Sequence, residues 1–196
     1  MFDMIRSMSR SDLTPVSYVV LGLVARDGPS TPYAIKAAVG RGVAHFWPFP
    51  HSQIYAETER LARLGLLAED REQTGRRRRS YRITPSGRAA LAAWLAEPAE
   101  EPPQFRSLGL LKLFFAQHAG PEQIAELART QAALHRGYVE VTDAITERLQ
   151  ARPDLPGQLA VAELMGDTFR VMAEHWERVE RTLGAPKAPA AAARGR

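Results

Sequence analysis

PHSQIYAETERLARLGLLAEDREQTGRRRRSYRITPSGR, residues 50–88, decides how the rest of the chain is read. Pro50 opens a helix and Gly65 closes it. Ile54, Thr58, Leu61 and Gly65 recur at three- and four-residue steps, so they share a face that packs inward. Ser52, Ala56, Glu59 and Arg63 lie opposite, with Gln53 and Arg60 beside them. This outer face is small, polar and partly basic. Short side chains let a helix backbone approach a DNA groove, and amides or guanidinium groups reach base edges. Leu66, Leu67 and Ala68 lead into a polar strand, Gly75 permits a turn, and Arg76, Arg77, Arg78 and Arg79 follow at once. Ser80 to Ile83 return as a second strand, with Tyr81 and Ile83 on one face. Four consecutive arginines repel one another. On a hairpin tip they suit either plain solvent or phosphates, whose counterions they displace. Their position after a candidate reading helix favours phosphate or minor-groove contact.

Composition bounds the function classes. The 196 residues suffice for one ordinary domain or two small ones, and 45% hydrophobic content supports a core. No apolar run reaches 18 residues, so no membrane span is expected. MFDMIRSMSRSD lacks the apolar region of an export signal, and the cytoplasm is the expected location. Zero cysteines exclude disulfides and thiolate metal sites. The net charge of +4 is unevenly spread. Residues 1–97 hold 14 basic and 9 acidic residues, an excess of +5; residues 98–196 hold 12 and 13, a balance of −1. The positive charge thus lies with the candidate reading helix.

Three Thr-Pro pairs mark helix starts, with Thr as N-cap and Pro at the first helical position: Thr14-Pro15, Thr31-Pro32 and Thr84-Pro85. The first helix is nearly all apolar and ends at Gly28; the second turns Ala34, Ile35, Ala38 and Val39 inward. The linker VAHFWPFP, residues 43–50, reads as an aromatic plug holding the next helix, with a small-molecule site as the alternative. Tyr33 and Tyr55 are either core-edge residues or phosphate donors. After the hairpin, Leu91, Trp94 and Leu95 share one side of a helix.

AEPAEEPPQ, residues 96–104, is an acidic, proline-rich linker and the best domain boundary. Two domains are expected, 13–97 and 105–183, with flexible tails at 1–12 and 184–196. The second half is helical. Its long helix carries Ile124, Leu127, Leu134, Tyr138, Val141, Ile145 and Leu149 on one stripe. The last helix tracks Leu164, Thr168, Val171, His175, Arg178 and Thr182 on one face, beside Trp176 and Val179. Such stripes are buried by an intramolecular hairpin, by a second copy of the chain, or by both; a homodimer is the economical answer.

The pieces SQIY (52–55), ERLARLGLL (59–67), GRRRRSY (75–81) and ITPSGRAALAAWL (83–95) together resemble the PadR family of bacterial transcriptional regulators. The resemblance extends more weakly over LKLFFAQ and HWERVERTL, and covers roughly residues 13–183. Ala56 stands where the family often has a basic residue, Thr58 where it usually has Leu, and Arg77 where its wing commonly has Pro. Attraction to DNA is therefore expected to lean on the wing. The resemblance implies a mainly α fold with a small β-hairpin wing: an N-terminal winged helix-turn-helix and a C-terminal helical dimerisation domain. It also implies an effector-relieved repressor, often sensing phenolic or hydrophobic compounds where the reader meets the dimerisation helices. Trp94 is the candidate contact there, with a core role as the alternative.

No enzyme chemistry is legible. His45, His51, His118, His135 and His175 are scattered without ligand spacing, and there is no phosphate-cradling glycine loop or nucleophile elbow. His175 with Asp167 or Glu174 makes at best a poor metal site, so neither metal nor cofactor is expected. The reading is a homodimeric regulator binding double-stranded DNA. Ser52, Gln53 and Ala56 are assigned to base edges. Tyr33, Tyr55, Arg60, Arg63 and Arg76 to Arg79 are assigned to phosphates. The rivals are a small-molecule sensor, or a winged helix used for protein contact, without sequence-specific DNA binding. Changing Arg76, Arg77, Arg78 and Arg79 together to Ala is expected to weaken binding to all DNA and flatten its salt dependence; an unchanged slope in a salt titration would remove the wing from the interface.

Overall fold

A computed structural model describes residues 13–71 and 79–185. The tails 1–12 and 186–196 and the hairpin tip, with Arg76, Arg77 and Arg78, lie outside the described residues. The chain separates into two compact units, Met1–Pro102 and Pro103–Arg196.

The first unit opens with α1 (Pro15–Asp27) and α2 (Pro32–Gly40). Each begins at a Thr-Pro pair. Thr14 accepts from the Ser17 amide and Thr31 from the Ala34 amide at 3.2 Å. A 3-10 turn, Val43–His45, precedes α3 (Ser52–Arg63). This helix starts two residues later than Pro50, whose carbonyl accepts from the Gln53 amide at 3.0 Å. It ends at Gly65, where φ is +72°. There the Leu66 amide donates to Leu61 and the Gly65 amide to Ala62, a Schellman closure that satisfies two terminal carbonyls.

Strands β1 (Leu67–Arg71) and β2 (Arg79–Ile83) pair antiparallel, with Leu67 opposite Ile83 and Glu69 opposite Tyr81. Ser30 exchanges both backbone hydrogen bonds with Tyr81, at 2.9 and 3.0 Å, and so ties the α1–α2 turn to the hairpin. Thr84 caps α4 (Pro85–Leu95), and its hydroxyl donates to the Gly65 carbonyl. Gly87 lies against the Leu66 carbonyl oxygen so closely that a Cβ would collide with it. Val20, Leu21, Val24, Ile35, Val39, Ile54, Leu61, Leu67 and Tyr81 form the core of this unit.

Two expectations change here. Ala34 is exposed, because Ile35, Ala38 and Val39 alone set the inward face of the short α2. The aromatic linker is only partly a plug. Phe49 packs on the core, while Phe46 and Trp47 remain about half exposed.

The second unit contains α5 (Leu108–Phe114), a 3-10 turn Ala116–His118, α6 (Pro121–Gln150) and α7 (Pro156–Leu183). Ion pairs Arg129–Glu180 at 3.1 Å, Arg136–Glu177 at 3.2 Å and Asp143–Arg170 run along α6 as α7 descends, so the two helices form an antiparallel hairpin. The seam between them differs from the expected stripes. Ala125, Ala128, Ala132, His135 and Thr142 are buried on α6, and Ala162, Gly166, Ala173, Trp176 and Val179 on α7. Leu134, Tyr138 and Val141 are exposed, as are Leu164 at 64% and Val171 at 63%. Small side chains let two backbones approach, so the hairpin closes largely on the alanine-rich stripe; of the expected stripe Ile124 is buried, Leu127, Ile145 and Leu149 are partly buried, and Leu134, Tyr138 and Val141 face outward.

Trp176 is fully buried against Ile124, Ala128, Ala132 and Val179. Trp176→Ala is expected to cost about 3–5 kcal/mol of stability in this unit. Urea unfolding followed by circular dichroism would show it, and a change well below that range would mean that the hairpin collapses around the vacancy.

Candidate nucleic-acid interface

The burial of α3 sorts its residues by function. Ile54, Thr58 and Leu61 are fully buried, and the Thr58 hydroxyl is satisfied by the Ile54 carbonyl at 2.6 Å. With that face fixed, Ser52, Gln53, Tyr55, Ala56, Glu59 and Arg63 are exposed. Tyr33, on α2, is 72% exposed, which leaves its phenol free of the core-edge role considered for it. Among the described residues, therefore, Tyr33, Ser52, Gln53, Tyr55, Ala56 and Arg63 are all on the protein surface, as the DNA assignment requires.

Arg60 is placed differently from its expected role at phosphate. Its guanidinium holds the Glu57 carboxylate through two bonds, Nε to Oε2 at 2.9 Å and Nη2 to Oε1 at 2.8 Å. It also donates to Ser17 Oγ at 3.1 Å. The Ser17 hydroxyl in turn donates to Glu57 Oε1 at 2.5 Å. Ser17 is fully buried on α1, so this three-residue cluster ties the reading helix to the first helix. The guanidinium fork is matched by carboxylate and hydroxyl before any phosphate arrives. Sequence alone missed Ser17 as a partner of Arg60; the Glu57/Arg60 spacing was the one available signal.

At the base of the hairpin, Arg79 lies 3.5 Å from Glu69 and 4.0 Å from Glu59. Tyr81 is buried nearby. Its phenol is pushed up from the ordinary value of 10.0, first by burial and then by the Glu69 charge, with Arg79 partly offsetting both. The expected wing residue Arg79 thus sits at the root of β2, between two carboxylates.

Trp94 stacks on Tyr18, ring centroids 4.5 Å apart and planes 5° from parallel, and is 40% exposed. One ring face is thus used within the unit. His175 Nδ1 faces the Arg178 guanidinium at 3.3 Å, a cationic neighbour unsuited to a metal ligand. Among the described residues no group of three or more His, Cys, Asp or Glu side chains is placed to hold a metal ion. No described helix is long and apolar enough to cross a membrane.

A helix-turn-helix whose second helix presents a polar outer face, followed by a two-stranded wing and joined to a helical unit, defines a winged helix-turn-helix protein. Residues 20–93 match the model of the transcriptional regulator PadR-like family, and this part of the chain is similar to that family. It is 25% identical over 138 residues to the negative transcriptional regulator PadR of Bacillus subtilis, covering 69% of this chain and 75% of that protein. The fold is similar to that of Bacillus subtilis PadR in complex with operator DNA, with TM-score 0.77 and 22% identity, covering 87% of this chain and 99% of that one. It is also similar to a PadR-like transcriptional regulator from Bacillus cereus, with TM-score 0.75 and 18% identity, covering 86% and 97%. A third similar structure is Bacillus subtilis PadR in complex with p-coumaric acid, with TM-score 0.71 and 22% identity, covering 89% and 99%. The matched family is one of transcriptional regulators, in keeping with the lack of a catalytic constellation in the sequence.

The Glu57 cluster makes stability depend on acid. Burial by itself would raise the Glu57 carboxyl, but hydrogen bonds from Arg60 and Ser17 and the Arg60 charge outweigh it and hold the group below its ordinary 4.5. A carboxyl lowered in the folded state contributes stability that is complete above its unfolded value and is lost as pH falls through the folded one. Glu57→Gln is therefore expected to lower stability at pH 7 by about 1–3 kcal/mol, with a smaller difference below pH 4.5. Urea midpoints at the two pH values check this; an equal loss at both would mean that the charge of Glu57 contributes nothing.

Proposed function

We propose that this chain is a transcriptional repressor that binds a roughly palindromic operator as a homodimer and is released by a small hydrophobic or phenolic effector. The observation that carries the reading is the exposed face of α3. The helix is locked into the core by Ile54, Thr58 and Leu61, yet Ser52, Gln53, Tyr55, Ala56 and Arg63 face solvent. Ser52, Gln53 and Ala56 contact base edges. Tyr33, Tyr55 and Arg63 contact phosphates, with Arg76 to Arg79 on the wing. In this reading residues 13–97 form the DNA-binding domain and 105–183 the dimerisation domain, and the protein works in the cytoplasm, where its DNA is.

Dimerisation is supported by the surface of the second unit. Leu108, Leu111 and Phe114 on α5, Leu134 and Val141 on α6, and Leu164 and Val171 on α7 are exposed. So much large apolar side chain in one small unit is uncommon on a monomer and suits an isologous helical interface. Two reading helices then enter successive major grooves about 34 Å apart. The similar Bacillus subtilis PadR has been crystallised in complex with operator DNA and with p-coumaric acid, which supports both ligands as classes. Trp94, with one ring face on Tyr18 and 40% exposed, is the residue assigned to the effector.

The deciding experiment is fluorescence anisotropy of the full chain on its own upstream intergenic DNA beside a scrambled duplex, titrated in salt. Tight, salt-steep and selective binding is expected; weak binding, equal on both duplexes, would overturn the operator reading. For the dimer, Leu164→Asp combined with Val171→Asp is expected to yield a folded monomer by sedimentation and circular dichroism, with operator affinity lowered at least ~100-fold through loss of the linked second half-site. A dimer that persists would place the interface elsewhere.

A further inference from the structure

Glu59 stands on the reading face of α3, seven residues from Ser52 and three from Ala56, and is the acidic member of that face. A carboxylate in this position is repelled by DNA phosphates, so an inert surface role is costly once DNA is bound. Nor is it held inside the protein. Its side chain is 63% exposed, and among the described residues it accepts no hydrogen bond. Among the described residues the guanidinium within 4.0 Å of it is that of Arg79, and this group is shared. Arg60 is bound to Glu57 and Ser17, and Arg79 lies closer to Glu69, at 3.5 Å, than to Glu59, at 4.0 Å. A half-exposed ion pair at the edge of contact distance contributes little to folding, so tethering the wing does not account for Glu59. What Arg79 does supply is a positive charge beside the carboxylate, which offsets its repulsion from the phosphates without closing its lone pairs.

Resting on the operator-binding reading, we propose that Glu59 is a specificity-determining residue that accepts a hydrogen bond from the exocyclic amine of a cytosine in the major groove. An ionised carboxylate is acceptor-only. The major groove presents two kinds of amine donor, cytosine N4 and adenine N6, but adenine sets the N7 acceptor beside its amine, against which a carboxylate is repelled. Guanine offers acceptors alone on this edge. Cytosine is therefore the base that Glu59 tolerates and rewards. Ala56, one turn earlier, is small enough to let the helix come close there. Glu59 adds a reader to Ser52, Gln53 and Ala56, at the position where the helix surface turns toward the wing.

The test is selection from a random duplex library with the full chain, comparing wild type with Glu59→Gln and Glu59→Ala. Wild type is expected to enrich a C·G pair at one position of each half-site. Glu59→Gln, which both donates and accepts, is expected to move that position toward A·T while the other positions keep their preference. Glu59→Ala is expected to lose the preference there, and on the wild-type site the C·G pair is worth about tenfold in affinity to wild type and little to the variant. If both variants keep the wild-type consensus and bind every sequence more tightly, Glu59 only repels DNA and the assignment is wrong. If wild type itself enriches no sequence, the operator reading fails, and the role of Glu59 with it.

Discussion

The reading surface depends on a carboxylate that the protein has removed from water. Glu57 is shielded between α1 and α3 and would resist ionising there, but Arg60 and Ser17 fill its lone pairs at 2.5–2.9 Å. The cluster sets the rotation of α3 about its own axis, because Ser17 is immobile in the core while Arg60 and Glu57 lie on the flank of the helix. Ile54, Thr58 and Leu61 define the inner face by burial; the charged cluster fixes which flank turns toward α1. Together they determine which side chains reach outward.

This arrangement redistributes positive charge. With Arg60 engaged, Arg63 is the exposed cation of the reading helix, and Arg79 is shared between Glu59 and Glu69 at the root of β2. Most of the basic excess of the first half of the chain then belongs to the hairpin, where Arg76 to Arg79 follow one another. In the proposed reading the helix supplies the base-edge contacts and, through Tyr55 and Arg63, a few phosphate contacts, while the wing supplies most of the charge.

The second unit follows a different constraint. Its helices close on alanines and Gly166, which permit close approach, and around Trp176 with Ile124 and Val179. Cross-helix ion pairs such as Arg136–Glu177 set register more than stability, being largely exposed. Small residues occupy most of the seam, and it admits few bulky ones. Leu134, Tyr138, Val141, Leu164 and Val171 are left outside, and the unit has a large apolar surface to cover.

Much of this was legible in the chain because it is encoded between near neighbours. Thr-Pro pairs place three helix starts through a side chain bonding three residues ahead, Gly65 ends the reading helix because its left-handed backbone suits no Cβ, and the inward face of α3 follows from its period. The hairpin with its arginines is likewise local, and these pieces suffice for the class of fold and for the exposed reader residues. Only the tertiary structure decided the rest. Arg60 carries the same charge whether it faces phosphate or Glu57, and its choice depends on Ser17, 43 residues away. Trp94 finds its stacking partner in Tyr18, and Phe46 and Trp47 lie partly in solvent, although neither spacing nor composition marks them. Along α6, periodicity detects the large apolar stripe, while the alanine stripe beside it forms the seam. Sequence determines which faces a helix has; packing distance between two backbones determines which of those faces is used.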